Sequence, residues 1–425
     1  MKKVTKILAV ILVLAMVVAF AACAGKTEKP SNEPEAEKLK VGFIMLHDEN
    51  STYDLNFING AKAACDKLGV EAIIKTNIPE SSECYETAAD LADQGCKIVF
   101  ADSFGHEDFM IQAAKEFKDV QFCHATGTKA HTEGLDNYHN AFASIYEGRY
   151  LAGVAAGMKL NEMIEKGTEI NGTKVTADNA KIGYVGAFTY AEVISGYTSF
   201  FLGARSICPT VTMEVQFTGS WYDETAEKEA ATLLINDGCN LISQHADSMG
   251  APTACETAGV PDVSYNGSTA EQCPNTFIVS SRIDWEPYFE YIIGCINDGK
   301  AIDTDWTGTI ATGSVALTDV NEKAAAEGTQ AKIDEVKAAI EAGKVKVFDA
   351  STFTVTKDEA TKLNLNATVD ENGNLTGYMA DVDTDEAYEG DTEVIKDGAF
   401  LESEFRSAPY FDLRIDGIKL LNEKY

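Results

Sequence analysis

The chain is poor in positive charge: its 425 residues carry 35 Lys and Arg against 67 Asp and Glu, a formal charge of −32. Phosphate recognition needs a clustered positive field, so this balance argues against a nucleic-acid partner. It also disfavours adsorption to anionic lipid, so any membrane tie has to be covalent or hydrophobic. Only 9 Pro and 33 Gly exclude a collagen-like chain, and 45% hydrophobic residues exclude wholesale disorder. No Walker loop, GxGxxG or GxSxG follows a predicted strand. Nucleotide hydrolysis and dinucleotide chemistry are therefore disfavoured. The cysteines include no CxxC pair and no zinc-ligand spacing, and an odd nine follow Cys23. Mostly free thiols are expected, with neither a disulfide framework nor a metal, and no cofactor.

The apolar run Ile7 to Ala22 spans sixteen residues, short of the about 20 a membrane-spanning helix needs. Lys2, Lys3 and Lys6 precede it and Ala21-Ala22-Cys23 closes it, the layout of a secretory signal. Residues 1–22 read as a signal peptide. The small residues before Cys23 resemble a bacterial lipobox, with Phe20 where Leu is usual, which makes Cys23 the candidate lipidation site. More than one acyl chain would give stable anchoring. Residues 23–38, polar and Pro-containing, read as a flexible tether.

From Lys38 the chain alternates short β-branched runs with amphipathic segments, the pattern of parallel α/β layers. KLKVGFIML, VEAIIKTNI, KIVFAD and VQFCHAT form one set, with helices near 54–68, 83–94 and 107–117. KIGYVGAF, VTMEVQFTGS, NLISQHA and VPDVSYNGS form a second, with helices near 191–206, 223–237 and 250–258. The expected division is an N-terminal lobe over 39–145, completed by a helix near 285–299. A crossover helix and C-terminal lobe follow over 146–284, then lobe completion and an irregular acidic extension over 300–425. Within that extension VDTDEAYEGDTE has Glu386 and Thr392 where a calcium loop needs Gly and Glu, so it reads as a solvated loop. The last segment, ending IDGIKLL, is expected to finish in a short helix.

Open parallel sheets bind ligands beyond the carboxyl ends of their strands. Those ends carry His47, Asp102-Ser103-Phe104, His124-Ala125-Thr126, Gly219-Ser220-Trp221, His245-Ala246-Asp247 and Tyr265-Asn266-Gly267. Two such rims facing each other would offer aromatic faces and polar edges, which suit a flat heterocycle with donors and acceptors.

Several blocks in order resemble the basic membrane protein (BMP)/PnrA-like substrate-binding lipoproteins of ABC transporters, over about residues 38–345. They are NSTYDLNFINGAK, NAFASIYEGRYLAGVAAGMK, KIGYVGA, the VTMEVQFTGSWYDETAEKEAATLLINDGCNLISQHA stretch and VPDVSYNGS. The resemblance implies two flavodoxin-like lobes with parallel sheets on a hinge, a type I periplasmic-binding-protein fold. It implies a small-molecule ligand, a purine nucleoside or related compound, with an ABC permease and ATPase as partners. By position it puts Tyr53 and Trp221 on the two ring-stacking aromatics. Asp54 replaces an Asn, Asp247 a Gly, and Asn266 an Asp that holds ribose hydroxyls. Asp284 or Arg282 falls near a sugar-binding Lys, and Thr126 where many members carry Asp. With the ribose grip altered, a free nucleobase stands beside a nucleoside as the expected ligand. Phe104, His124 and His245 complete the candidate site, and no catalytic residue is expected. A nucleoside-processing hydrolase, and a surface sensor or adhesin on the same fold, are the alternatives.

Overall fold

The computed structural model describes residues 38–382 and 392–423. The expected signal peptide, the Cys23 lipidation site, nearly all of the tether and most of the acidic loop at 381–392 lie outside the described residues.

Five short strands open the chain: β1 (Lys40–Ile44), β2 (Glu71–Lys75), β3 (Ile98–Ala101), β4 (Gln121–Ala125) and β5 (Tyr138–Ala143). Helices α1 (Thr52–Leu68), α2 (Ser82–Asp93) and α3 (Glu107–Glu116) connect the first four. After helix α4 (Ile145–Lys166) the pattern recurs as β6 (Lys181–Gly186), β7 (Thr212–Phe217), β8 (Leu241–His245), β9 (Asp262–Tyr265) and β10 (Phe277–Ile283). Helices α5 (Ala191–Ile207), α6 (Glu224–Asn236) and α7 (Gly250–Ala258) join these. The strands β3, β4 and β8 are buried along their whole length apart from Gln121 at the entry to β4, as parallel strands covered on both faces must be.

The chain then returns to the first lobe. Helix α8 (Glu286–Asp298) packs on α1, and its Phe289 meets Phe43 edge-on at 5.1 Å. Trp285, just before it, stacks on Phe57 at 4.3 Å. Strand β11 (Asp305–Gly308) pairs with β5, giving a six-stranded parallel sheet in the order β11-β5-β4-β3-β1-β2. Strand β12 (Val315–Leu317) crosses back to run antiparallel to β10. Each lobe therefore contains chain from both halves of the sequence, and the chain crosses between them near residues 144, 284 and 309–314.

The crossover helix α4 belongs to the second lobe and lies against α5 at backbone distance. A Cβ built on Gly153 would fall 2.0 Å from the carbonyl oxygen of Phe200, and one on Gly203 2.0 Å from that of Tyr150. Only glycine permits this approach, which explains the small-residue run in YLAGVAAGMK.

The C-terminal extension has regular structure. Ala367–Val369 and Leu375–Ala380 pair antiparallel about the Asn372-Gly373 turn, with Gly373 at φ +83°. Phe348, Phe353, Tyr378, Phe400, Tyr410 and Phe411 join the core of the second lobe with Tyr197, Phe200 and Phe201 of α5. The expected terminal helix is instead strand β13 (Ile418–Leu420), parallel to β7 at the edge of a seven-stranded sheet ordered β12-β10-β9-β8-β6-β7-β13. Edge pairing offers its backbone groups partners that a three-residue segment cannot supply for itself. The nine cysteines from Cys65 to Cys295 are all buried free thiols.

Candidate functional site

The carboxyl ends of both sheets face one narrow cleft. Its walls are Leu46, His47, Tyr53, Asp54, Ser103, Phe104 and Thr126 from the first lobe, and Glu192, Trp221, His245, Asp247 and Tyr265 from the second. Its free volume is only about 20 Å³, room for about one water molecule. A flat ring enters only if the lobes part or a wall side chain swings aside.

The first wall is set by the N-terminus of α1. Ser51 caps the helix by accepting from the Asp54 amide, and its hydroxyl donates to Asp54 Oδ2 at 2.5 Å. The His47 amide donates to Asp54 Oδ1 at 2.7 Å. Burial opposes charge on Asp54, yet hydrogen bonds with His47, Asp102 and Ser51 outweigh it and hold its carboxyl below the ordinary range. Asp102 moves the other way, pushed well above that range by burial and then by the Asp54 charge. Neighbouring carboxyls in a dry site resist ionising together. The Tyr53 ring packs edge-on against Phe57 at 4.8 Å, and its hydroxyl donates to the Asp102 carbonyl at 2.8 Å. The ring is thus held in place in the cleft wall.

Trp221 lines the cleft from the second lobe, on the loop after β7. Phe188 meets it edge-on at 5.0 Å, and Phe188 itself stacks on Tyr190 at 5.1 Å. Behind the cleft the buried guanidinium of Arg149 donates to the Tyr184 hydroxyl at 2.7 Å and to Ser243 at 3.1 Å. It also lies 4.9 Å from the centre of the Tyr265 ring. Tyr265 in turn borders His245 at 4.5 Å. Burial lowers the His245 pKa, against the opposing pull of Glu192 3.4 Å away. Burial, then Asp54, Glu227 and Glu192, push Asp247 well above the usual carboxyl range. A protonated Asp247 offers one donor and one acceptor, the complement of a heterocycle edge carrying N–H beside a bare nitrogen or carbonyl.

Of the sequence-derived candidates, Tyr53, Asp54, Phe104, Thr126, Trp221, His245 and Asp247 share this cleft. Three stand apart from its walls. His124 is fully buried, bonded through Nε2 to the Ser103 carbonyl at 2.7 Å, and burial lowers its pKa to about 4. Asn266, at φ +66°, is a layer behind, its amide 3.4 Å from Asp247 Oδ1. Asp284 pairs with Arg282 at 3.0 Å and accepts from the Glu286 amide at the start of α8, so it serves the hinge side of the fold. Glu192 lies several residues past the end of β6, outside the reach of the strand-end rule, and no family position points to it. It sits in the first turn of α5, as Asp54 does in α1, and the repetition of the two lobes is the signal that points to it.

A sequence model of the family described as Bmp, ABC transporter substrate-binding protein PnrA-like, matches residues 44–348. A purine-binding protein of Brucella abortus is 31% identical over 325 residues, 74% of this chain and 86% of that protein. A putative ABC transporter glucose-binding protein of Haloferax volcanii is 32% identical over 212 residues, covering 50% of this chain and 49% of its own. An ABC transporter solute-binding protein of Conexibacter woesei superposes with a TM-score of 0.58 at 18% identity, over 72% of this chain and 98% of its own. The two hinged lobes have the type I fold of periplasmic solute-binding proteins. Among the described residues no helix is long and apolar enough to cross a membrane. The chain belongs to the Bmp family of PnrA-like ABC transporter substrate-binding proteins.

Proposed function

We propose that the protein captures a purine base or nucleoside, or a related planar nitrogenous compound, between Tyr53 and Trp221 and delivers it unaltered to an ABC permease. The observation that carries this is that those two rings, one from each lobe, line the same cleft. Ring faces hold a flat heterocycle through stacking worth about 1–3 kcal/mol per base. Asp54, Glu192, His245 and Asp247 then read its polar edge, and a ligand that fails to match leaves a buried group unpaired. The purine-binding Brucella relative supports the ring class. The ligand shifts the lobes toward closure because it binds the closed form better. The glucose-binding name of the Haloferax relative makes a sugar the second reading, since carboxylates beside an aromatic ring also suit hydroxyls. Cys23 is proposed to carry the lipid that tethers the mature protein to the outer face of the cell membrane.

A thermal-shift panel of purines, pyrimidines, their nucleosides, glucose and amino acids tests the assignment. A purine compound should raise the melting temperature by linkage. A shift with glucose and none with any purine would transfer the site to sugars.

A further inference from the structure

A second, larger cavity of about 500 Å³ adjoins the cleft, and Phe104, Thr126 and Glu192 line both. Its far wall comes from the C-terminal extension, through Lys362, Asn364, Arg406, Asp412 and Arg414 among others. These residues lie beyond the stretch that matches the family, which ends at 348. The chain has five arginines, and two of them face this one cavity.

Neither arginine forms an ion pair within 4 Å among the described residues, although Asp412 lies near enough to feel the charge of both and the buried Glu402 that of Arg406. Arg406 donates to the Ala408 and Pro409 carbonyls at 3.1 and 3.2 Å, and Arg414 to the Asp412 carbonyl at 2.7 Å. Among the described residues no carboxylate lies within 4 Å of either guanidinium, or of the Lys362 ammonium. Three acids also line the space: Glu192, Asp412 and Glu423. Asp412 is held by the Tyr378 hydroxyl, and burial pushes its carboxyl up. In so acidic a protein, arginines without carboxylate contacts beside a roomy cavity amount to an anion-binding arrangement.

We infer that the C-terminal extension adds an anion subsite to the cleft, built on Arg406, Arg414 and Lys362, which takes a phosphate or carboxylate arm of the ligand whose ring lies between Tyr53 and Trp221. The inference rests on the proposed reading of the cleft and narrows its ligand class to a heterocycle with an anionic substituent. Phe104 and Tyr190, whose rings meet across the lobes at 5.3 Å, stand where the arm leaves the cleft.

Titration calorimetry on the full mature chain tests this, with adenine, adenosine, AMP, guanine, guanosine, GMP and inorganic phosphate as probes. One monophosphate should bind about tenfold or more tightly than its nucleoside, with an advantage that shrinks as salt rises. R414Q should abolish that advantage and leave the nucleoside affinity within about twofold, while R414K retains part of it. R406Q provides a second variant should R414Q melt early. A monophosphate that binds no better than its nucleoside overturns the subsite and leaves the purine reading intact. An advantage that survives both arginine substitutions overturns it equally. No binding by any purine probe removes the proposed function and the subsite together.

Discussion

The backbone amide of Thr52 donates to the carbonyl of Asp247 at 3.2 Å, joining the first lobe to the second at the mouth of the cleft. A second bond lies beside it, from Asn56 Nδ2 to the Asn266 carbonyl at 3.0 Å. Both tie the start of α1 to the ends of β8 and β9, so they form only while the lobes are together. Asn56→Ala removes the side-chain latch without touching the cleft walls. The expected result is ligand binding weaker by about 0.5–1.5 kcal/mol, the net worth of one hydrogen bond, with stability little changed. Calorimetry with the best ligand of the thermal panel measures it.

Trp221→Ala removes one of the two ring faces. Binding should weaken by about 1–3 kcal/mol while the far-UV spectrum is unchanged, because Trp221 is only half-buried on a loop. Unaltered affinity would take Trp221 out of the site.

Gly203→Ala places a methyl group 2.0 Å from the Tyr150 carbonyl oxygen. Helices α4 and α5 have to separate, and overpacking of this kind costs typically about 1–3 kcal/mol. Urea denaturation of wild type and variant measures the loss, and equal midpoints would contradict the packing described.

Glu227 is buried and accepts the Ser248 amide at 3.2 and 3.3 Å with its two oxygens. Burial raises its pKa from 4.5 to about 7. The folded protein therefore binds this proton more tightly than the unfolded chain does. Its contribution is complete below about pH 4.5 and is lost as pH rises through about 7. Glu227→Gln cannot titrate, so its stability should fall less between pH 5 and pH 8. At 1.36 kcal/mol per unit the difference is roughly 3 kcal/mol. Glu147, Asp262 and Glu402, also raised to about 7, titrate in both proteins and cancel in the comparison.

Cys23→Ser should move the protein from the membrane fraction to the soluble extracytoplasmic fraction, read by immunoblot after fractionation. Retention in the membrane would point to an uncleaved N-terminal anchor instead of a lipid.

The strand-end rule found Trp221, His245 and Asp247 because backbone direction alone decides which end of a parallel sheet gathers side chains; Tyr53, inside α1, came only from the family resemblance. The same rule admitted His124, whose ring turns inward to the Ser103 carbonyl. The family position that offered Asp284 could not tell that its carboxylate is taken up by Arg282 and the start of α8. Arg149 stood in view within the block EGRYLAG. Its place behind Tyr265 follows only from the packing of α4 on the second sheet.

Local pattern was enough for the alternation of strands and helices, the repetition of two lobes and the glycine-rich crossover helix. Each depends on the periodicity or shape of neighbouring residues, which the sequence displays directly. Only the tertiary structure decided that Ile418–Leu420 is a sheet edge, and that Arg406 and Arg414 reach the cavity beside the cleft. Those outcomes join segments dozens to hundreds of residues apart. What selects them is the burial of apolar surface and the pairing of backbone groups that no single segment can satisfy alone.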